Sequence, residues 1–556
     1  MSFPIYVLSG SLIAAATAAG VIATRQQRGL AVAVALAGAT ILLLLHGPWY
    51  FDFYADDALI TLRYSQHLAD GAGPNWNSEG RVEGYTTFLW MGLHAGLDKL
   101  GLDIISASRA LGLAAVVATM LFMSRLWRIW SDDDRNAAIA NPVVIAAAIM
   151  ALVLTDGVAF WGFSGMETTA FMALLTLSVV LFLQEQRSPG LPWGGPPWSA
   201  LAFAATAMTR PEGLIAVAVT AGFLAVQAGF TTDRPQALRR LAFWSAIFLT
   251  LYGSYFVWRY TYYDFLFPNT FYAKVGTTSA LYERGLDYLW TYGLRYQLIP
   301  LLGGMAVLLA NPRLRRDAAY LLLLAGAMLA AVVIEGGDDF PHGRLIVPVL
   351  PLIYVAGLAG LATLLQRLSL PSVQSAALAA AVLTLGAMSL FRGSLDLAAP
   401  IALERRALQE RELLATWLSE NTPPDYTIAA FAVGAIGYYS DRDVLDLLGL
   451  NDVVIAHSDV PDFGTGLAGH EKYNIDYVLD EVRPEIIVTN DAQPGPLTTE
   501  QFRALAIVPS PVEARNALFR DLRFWQQYEV RSIQIEGLWF NLLQRKDTLS
   551  AAVGRR

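Results

Sequence analysis

The 556-residue chain contains no cysteine. That excludes thiol nucleophiles, Cys-ligated zinc, iron–sulfur clusters and disulfides. Charge is scarce as well: 15% of residues are Asp, Glu, Lys or Arg, against about 25% in soluble globular chains. Basic character is missing too. Lys and Arg total 39 against 47 Asp and Glu, a net charge of -8, and no basic stripe occurs, so no nucleic-acid partner is expected. There are six His and none falls in an HExxH pattern, which argues against a zinc hydrolase. What fills the chain instead is apolar, 55% of residues, with a mean hydropathy of +0.43. Disorder and coiled coil are thereby excluded, and an integral membrane protein surrounded by membrane lipids is expected.

A bilayer span needs about 20 mainly apolar residues. Candidate spans lie at 4–24, 29–47, 106–130, 142–156, 168–186, 199–209, 211–229, 241–260, 291–311, 318–335, 344–366 and 373–392, so about 11–12 transmembrane helices are expected. One interruption is evident, at Thr209-Arg210-Pro211-Glu212-Gly213. The first apolar run lacks a basic segment before it and is followed by Arg25 and Arg28, the pattern of a retained helix rather than a cleaved leader. The basic turns at 25–28, 125–135, 234–240 and 313–316 should be cytoplasmic. The opposite loops, 48–105, 157–167, the break near 210, 261–290 and 336–343, are rich in Asp, Glu, Tyr, Trp and Gly. One alternating topology satisfies both sets.

After residue 392 the composition changes. Residues 400–420 read as an amphipathic helix. Short β-rich runs follow at 426–431, 443–446, 485–488, 530–535 and 539–543, separated by Pro- and Gly-bearing turns. The expected division is a membrane part, 1–392, and a soluble extracytoplasmic α/β domain, 393–556, of ordinary domain size. Both it and the long loop 48–105 would face outward.

The outer loops carry the residues with chemistry to offer. Asp56 and Asp57 lie directly past a membrane exit, at the start of an expected interfacial helix. Adjacent carboxylates there are costly unless solvated, paired or coordinating. They suit a general base with a neighbour that holds an acceptor hydroxyl or a divalent cation, while either one would also cap a helix. Trp76, Glu83, Tyr85 and Glu167 are of the types that stack on sugars and hydrogen-bond to them. Arg210, Lys274 and Arg344 stand on the face where the Lys/Arg rule does not expect them. A lipid-linked phosphate would explain them; so would pairing with Glu212, Asp264, Asp338 or Asp339.

In their order along the chain, Asp-Asp-Ala-x-Ile-Thr-x-Arg-Tyr at 56–64, Gly71 with Gly73, Val82-Glu83-Gly84-Tyr85-Thr86 with Leu89-Trp90, Thr209-Arg210-Pro211-Glu212-Gly213, Pro268-Asn269-Thr270 with Tyr272-Ala273-Lys274, and Gly336-Gly337-Asp338 with Gly343-Arg344 resemble the polyprenyl-phosphate-dependent glycosyltransferases of the GT-C fold. Among these the set is most similar to the terminal arabinofuranosyltransferases of cell-wall arabinan synthesis. The resemblance implies a sugar, arabinofuranose, carried on a polyprenyl phosphate and transferred to a glycan or glycoprotein acceptor outside the cytoplasmic membrane of a bacterium. It implies that Asp56 is the catalytic carboxylate with Asp57 beside it, and that Arg210, Lys274 and Arg344 lie near the donor phosphate. Asp338 and His342 then join the sugar-binding set. Asp339 and His342 depart from the bulkier apolar residues of the family pattern, which leaves sugar and acceptor open. No cofactor is implied beyond the divalent cation that an acidic pair would suit.

A transporter or flippase of lipid-linked sugars is the competing class. It would line a mid-membrane path with polar groups and carry half-helices in symmetric positions. The single break, and polar groups gathered on one face, favour the enzyme.

Overall fold

The computed structural model describes residues 3–50, 53–132, 138–187, 197–367, 401–489, 492–506 and 508–548. Its first two-thirds are helical. Eight helices are long and apolar enough to cross a bilayer, or up to ten crossings when each of two bent pairs is taken as one. The expected span 373–392 and the expected boundary at 392 lie outside the described residues. Trp198–Thr209 is a 12-residue helix, about 18 Å long, too short to cross alone.

Sequence dictates these helices locally. Asp103 caps Ile104–Ser131 by accepting from the Ile105 and Ser106 N–H groups, and Asn141 caps Pro142–Leu154 with proline at the first turn. Packing relies on small residues, as lipid-embedded helices do: a Cβ on Gly360 would overlap the Gly304 carbonyl.

Two bends escape a reading by hydropathy. Pro142–Leu154 meets Asp156–Phe163 at 58°, and Ser279–Arg295 meets Leu298–Ala310 at 76°. The run expected as one span at 291–311 is therefore the end of one helix and the start of another. A buried ionic knot joins the bends: the Asp156 carboxylate takes Arg295 Nη2 at 2.6 Å and His342 Nδ1 at 2.6 Å.

The C-terminal part opens with a helix over 401–421. Five strands follow, β1 Thr427–Ala430, β2 Asp443–Asp446, β3 Ile486–Val488, β4 Tyr528–Ile535 and β5 Leu538–Arg545, one on each expected run. They form one mixed sheet in the order β2-β1-β3-β5-β4. β1 pairs in parallel with β2 and β3, while β5 runs antiparallel to β3 and β4. Glu536 and Gly537, at φ 48° and 84°, make the tight turn between β4 and β5. Alternation along the strands splits the core in two. Ala429 and Ile487 pack with Phe502, Phe519 and Phe524. Ile428, Ala430, Ile486 and Val488 pack with Leu414 and Leu418, and with Ile60, Tyr64, Trp76 and Tyr85 of the membrane part. One face of the sheet thus shares its core with the first outer loop, which fixes the two parts against each other.

Candidate functional site

The helix Asp56–Ala69 carries both acidic candidates, and the structure gives them different surroundings. Asp56 Oδ2 accepts from the Gly434 N–H at 2.8 Å and Oδ1 from the Ala435 N–H at 3.1 Å, with Arg411 Nη1 3.4 Å away. Its carboxylate thus docks the C-terminal helix Gly434–Ser440. Asp57, not Asp56, lines the cavity described next. Both Asp56 oxygens accept from backbone N–H groups. Among the described residues there is no group of three or more His, Asp or Glu that could hold a metal ion.

The cavity has a volume of about 440 Å³, within the range of ligand sites. Arg210, Lys274 and Arg344, far apart in sequence, all line it. So do Asp57, Glu167, Glu212 and Asp338, together with Tyr85 and Glu335. Its polar residues stand at helix ends: Arg210 and Glu212 at the break, Glu335 just past Arg315–Ile334, and Glu167 just before Thr168–Arg187. The apolar wall includes Leu214, Ile215, Phe267, Phe271 and Ile334, of which all but Ile215 are also exposed. In a bilayer such residues face lipid.

The three cations are not equivalent. Arg210 Nη1 donates to Glu167 Oε1 at 2.6 Å, and Arg210 also pairs with Glu212. The pairing two residues apart is reached because Arg210 is extended, φ −153° and ψ 143°, rather than helical. Arg344 grips Asp338 with two nitrogens, at 2.7 and 3.0 Å, and lies over the Phe340 ring at 4.8 Å. Neighbouring carboxylates therefore do neutralise these two. Lys274 has no hydrogen bond or ion pair among the described residues. Burial raises the Asp57 pKa above its ordinary value, with Lys274 and Arg344 the main groups opposing it. Glu167 Oε2 is buried without a hydrogen-bond partner among the described residues.

Three expected sugar ligands are elsewhere. Trp76 is fully buried, its Nε1 donating to the Val444 carbonyl at 2.8 Å and its ring beneath Arg63. Glu83 is paired with Arg259 at 2.6 Å, and burial raises its pKa to about 7. His342 belongs to the Asp156 knot. The types that hold sugars are also the types that hold two buried surfaces together, and these three do the latter. Tyr85, Glu167 and Asp338 do line the cavity.

Several motif residues turn out to clamp the C-terminal part. Arg63 donates to the carbonyls of Trp76, Gly437 and Arg442. The Asn269 side-chain amide donates to the carbonyls of Gly449, Leu450 and Asp452 at 2.8–3.1 Å. Asp446 shapes that turn by accepting from the Leu448 and Asn451 N–H groups. Leu450 and, further on, Ala468 then close one side of the cavity. The run Asp446-Leu447-Leu448-Gly449-Leu450-Asn451-Asp452 carries turn-forming Asp, Gly and Asn, yet nothing in it points to a membrane partner. Asn269→Ala should cost about 2–3 kcal/mol, about 1 kcal/mol for each lost hydrogen bond. Thermal unfolding of the solubilised protein would show it as a lowered midpoint.

Architecture and cavity together define a polytopic membrane protein of the GT-C fold. Over 92% of this chain it superposes on ArnT from Cupriavidus metallidurans bound to undecaprenyl phosphate, with 14% identity, 97% of that chain covered and a TM-score of 0.53. The archaeal oligosaccharyltransferase AglB from Archaeoglobus fulgidus, in complex with an inhibitory peptide and a dolichol-phosphate, gives 13% identity and a TM-score of 0.52 over 92% of this chain and 74% of that one. The mycobacterial arabinofuranosyltransferase AftD gives 14% and 0.51 over 92% and 40%.

In sequence the chain is related to two proteins named terminal beta-(1->2)-arabinofuranosyltransferase. The one from Mycobacterium tuberculosis is 26% identical over 356 residues, 57% of this chain and 54% of that protein. The one from Corynebacterium glutamicum is 26% identical over 340 residues, 55% and 47% respectively. The chain spans about half the length of these relatives. Residues 401–542 match a domain of unknown function, DUF8728.

Proposed function

We propose that this chain is a membrane glycosyltransferase that moves a sugar, arabinofuranose, from a polyprenyl-phosphate donor to a glycan or glycoprotein acceptor outside the cytoplasmic membrane of a bacterium. The observation that carries this is the meeting of Asp57, Arg210, Lys274 and Arg344 around one cavity whose apolar wall includes exposed Leu214, Phe267, Phe271 and Ile334. A polyprenyl chain has to stay in lipid while its phosphate reaches a polar chamber, and this cavity has both sides.

In the reaction, the acceptor oxygen bonds to the anomeric carbon and its proton passes to Asp57. The bond from that carbon to the phosphate oxygen breaks, and the electron pair leaves with the phosphate. Lys274 is free to meet that growing charge, with Arg344 and Arg210 behind it. Such stabilisation in a water-poor site is usually the larger catalytic contribution, and base assistance adds about 10²–10⁴-fold. Glu167 Oε2 is the acceptor best placed for a sugar hydroxyl, since it has no other partner. Asp338 and Tyr85 supply further contacts. Asp56 acts through position, by holding the C-terminal part.

The polar groups stand at helix ends rather than along a path through the middle of the bundle, which supports transfer over transport. The outward orientation of this cavity rests on the basic turns at the opposite helix ends. Purified protein given a radiolabelled polyprenyl-phosphate pentose and an arabinan oligosaccharide tests the proposal: labelled product is expected, and uptake into vesicles without product would favour a transporter.

A further inference from the structure

Glu335 ends the span Arg315–Ile334 and lies where the chain turns away through Gly336 and Gly337, both left-handed at φ 77° and 73°. It lines the cavity with Arg210 and Glu212. The same three residues also border a smaller space of about 10 Å³, room for about one water molecule. Its carboxyl has no hydrogen bond or ion pair among the described residues, although Arg210 and Arg344 both act on it electrostatically. An unpaired carboxyl at a lipid boundary is costly when ionised, and nothing in the mechanism above uses it.

The charge count of the cavity gives it a task. The four other lining carboxylates outnumber the three cations, and Arg210 and Arg344 are already paired. The donor is a phosphodiester with one negative charge. Its departing half is a phosphomonoester that gains a second charge, in surroundings that hold no surplus of positive charge. A neutral hydrogen-bond donor at the edge of the phosphate site would relieve this without adding a cation. Burial, reinforced by the Glu212 carboxylate, raises the Glu335 pKa well above the ordinary carboxylate range, which favours the protonated carboxyl.

Resting on the reading of this site as a polyprenyl-phosphate sugar transferase, we propose that Glu335 is a further catalytic residue, which donates a hydrogen bond and then its proton to the departing phosphate. Atoms balance as follows. The anomeric carbon–oxygen bond breaks with its electron pair on the phosphate oxygen, and the Glu335 proton moves to a phosphate oxygen. The acceptor proton moves to Asp57, and each carboxyl then exchanges with solvent, Glu335 by way of the water-sized space beside Glu212.

The test compares wild type, Glu335→Gln and Glu335→Asp as purified full-length protein, with decaprenyl-phosphoryl arabinofuranose and an arabinan oligosaccharide. Rates are followed through the neutral and mildly alkaline range. Wild-type kcat should decline as pH rises past the Glu335 pKa. Glu335→Gln should lower kcat by about 10²-fold or more, change the donor KM far less, and abolish the alkaline decline. Glu335→Asp should keep the decline and most of the rate. Binding of undecaprenyl phosphate provides a second readout that needs no turnover: it should weaken with rising pH in wild type and not in Glu335→Gln. Wild-type kcat and an unchanged alkaline limb in Glu335→Gln would overturn the role of Glu335 alone, and identical binding profiles would do the same. A wild type that transfers no sugar and binds no polyprenyl phosphate would overturn the transferase reading as well. Should Glu335→Gln fail to fold, loss of the alkaline limb in Glu335→Asp would decide against the proposal.

Discussion

Replacing Asp57 with asparagine is expected to slow sugar transfer by about 10²–10⁴-fold in protein that is still folded and membrane-inserted. The amide keeps the shape but cannot take the acceptor proton. Folding should tolerate the change, because Asp57 carries a desolvation cost that asparagine lacks. Its raised pKa also sets a direction. The base must be ionised, so the rate should fall as pH drops through a value above the ordinary carboxylate range. Asp56→Asn should behave differently. It removes the charge that holds the Gly434 and Ala435 N–H groups and Arg411, at about 1.5–3 kcal/mol for each charge-assisted bond weakened. Its expected signature is a lowered thermal midpoint, with the rate per folded molecule falling less than in Asp57→Asn. Radiolabelled transfer measured beside thermal unfolding separates the two variants. The reverse pattern would return the base to Asp56.

The second large effect belongs to Lys274. Lys274→Met should reduce transfer by about 10²–10³-fold, the usual loss when one preorganised group facing developing charge is removed. The free protein should lose little stability, because the ammonium makes no direct ion pair among the described residues, although the pKa values of Asp57 and Asp339, which it holds down, should rise. Arg210 is a poorer probe of the same idea. Taking it away strands Glu167 and Glu212 in a buried place, and breaking such a pair costs about 3–5 kcal/mol, so lost activity would be confounded with lost structure. A Lys274→Met protein with wild-type kcat and donor KM would show that the phosphate does not lie beside it.

Much of this was legible in the chain. The spans could be read because lipid demands long apolar helices, and the five strands because β-branched runs stood between strong turns. The convergence of Arg210, Lys274 and Arg344 could be read from cations on the wrong side of the membrane. The choice between Asp56 and Asp57 could not. Successive residues on a helix point about 100° apart, so the two take different surroundings, and which one is held by Gly434 depends on a contact nearly 400 residues downstream. That Trp76, Glu83 and His342 lie outside the cavity lining could not be read for a related reason: composition does not tell a ligand contact from a buried joint. Glu335 was there to be seen, as an acidic residue ending an apolar run. It fell inside an expected span and so was counted with the membrane rather than with the site. The bend near Thr155 carries no proline, and Pro300, in the first turn after Gln297, is the one local sign of the second bend; hydropathy runs straight through both.

The placement of Leu450 and Ala468 has a bearing on how the protein comes to life in the cell. The cavity is walled on one side by residues that are synthesised after its cationic and acidic ones. Until that stretch has settled on Asn269, the cavity lacks the wall that Leu450 and Ala468 supply. A nascent chain halted before residue 450 should therefore lack one wall of the cavity and part of the core shared with the first outer loop, and is expected to be inert.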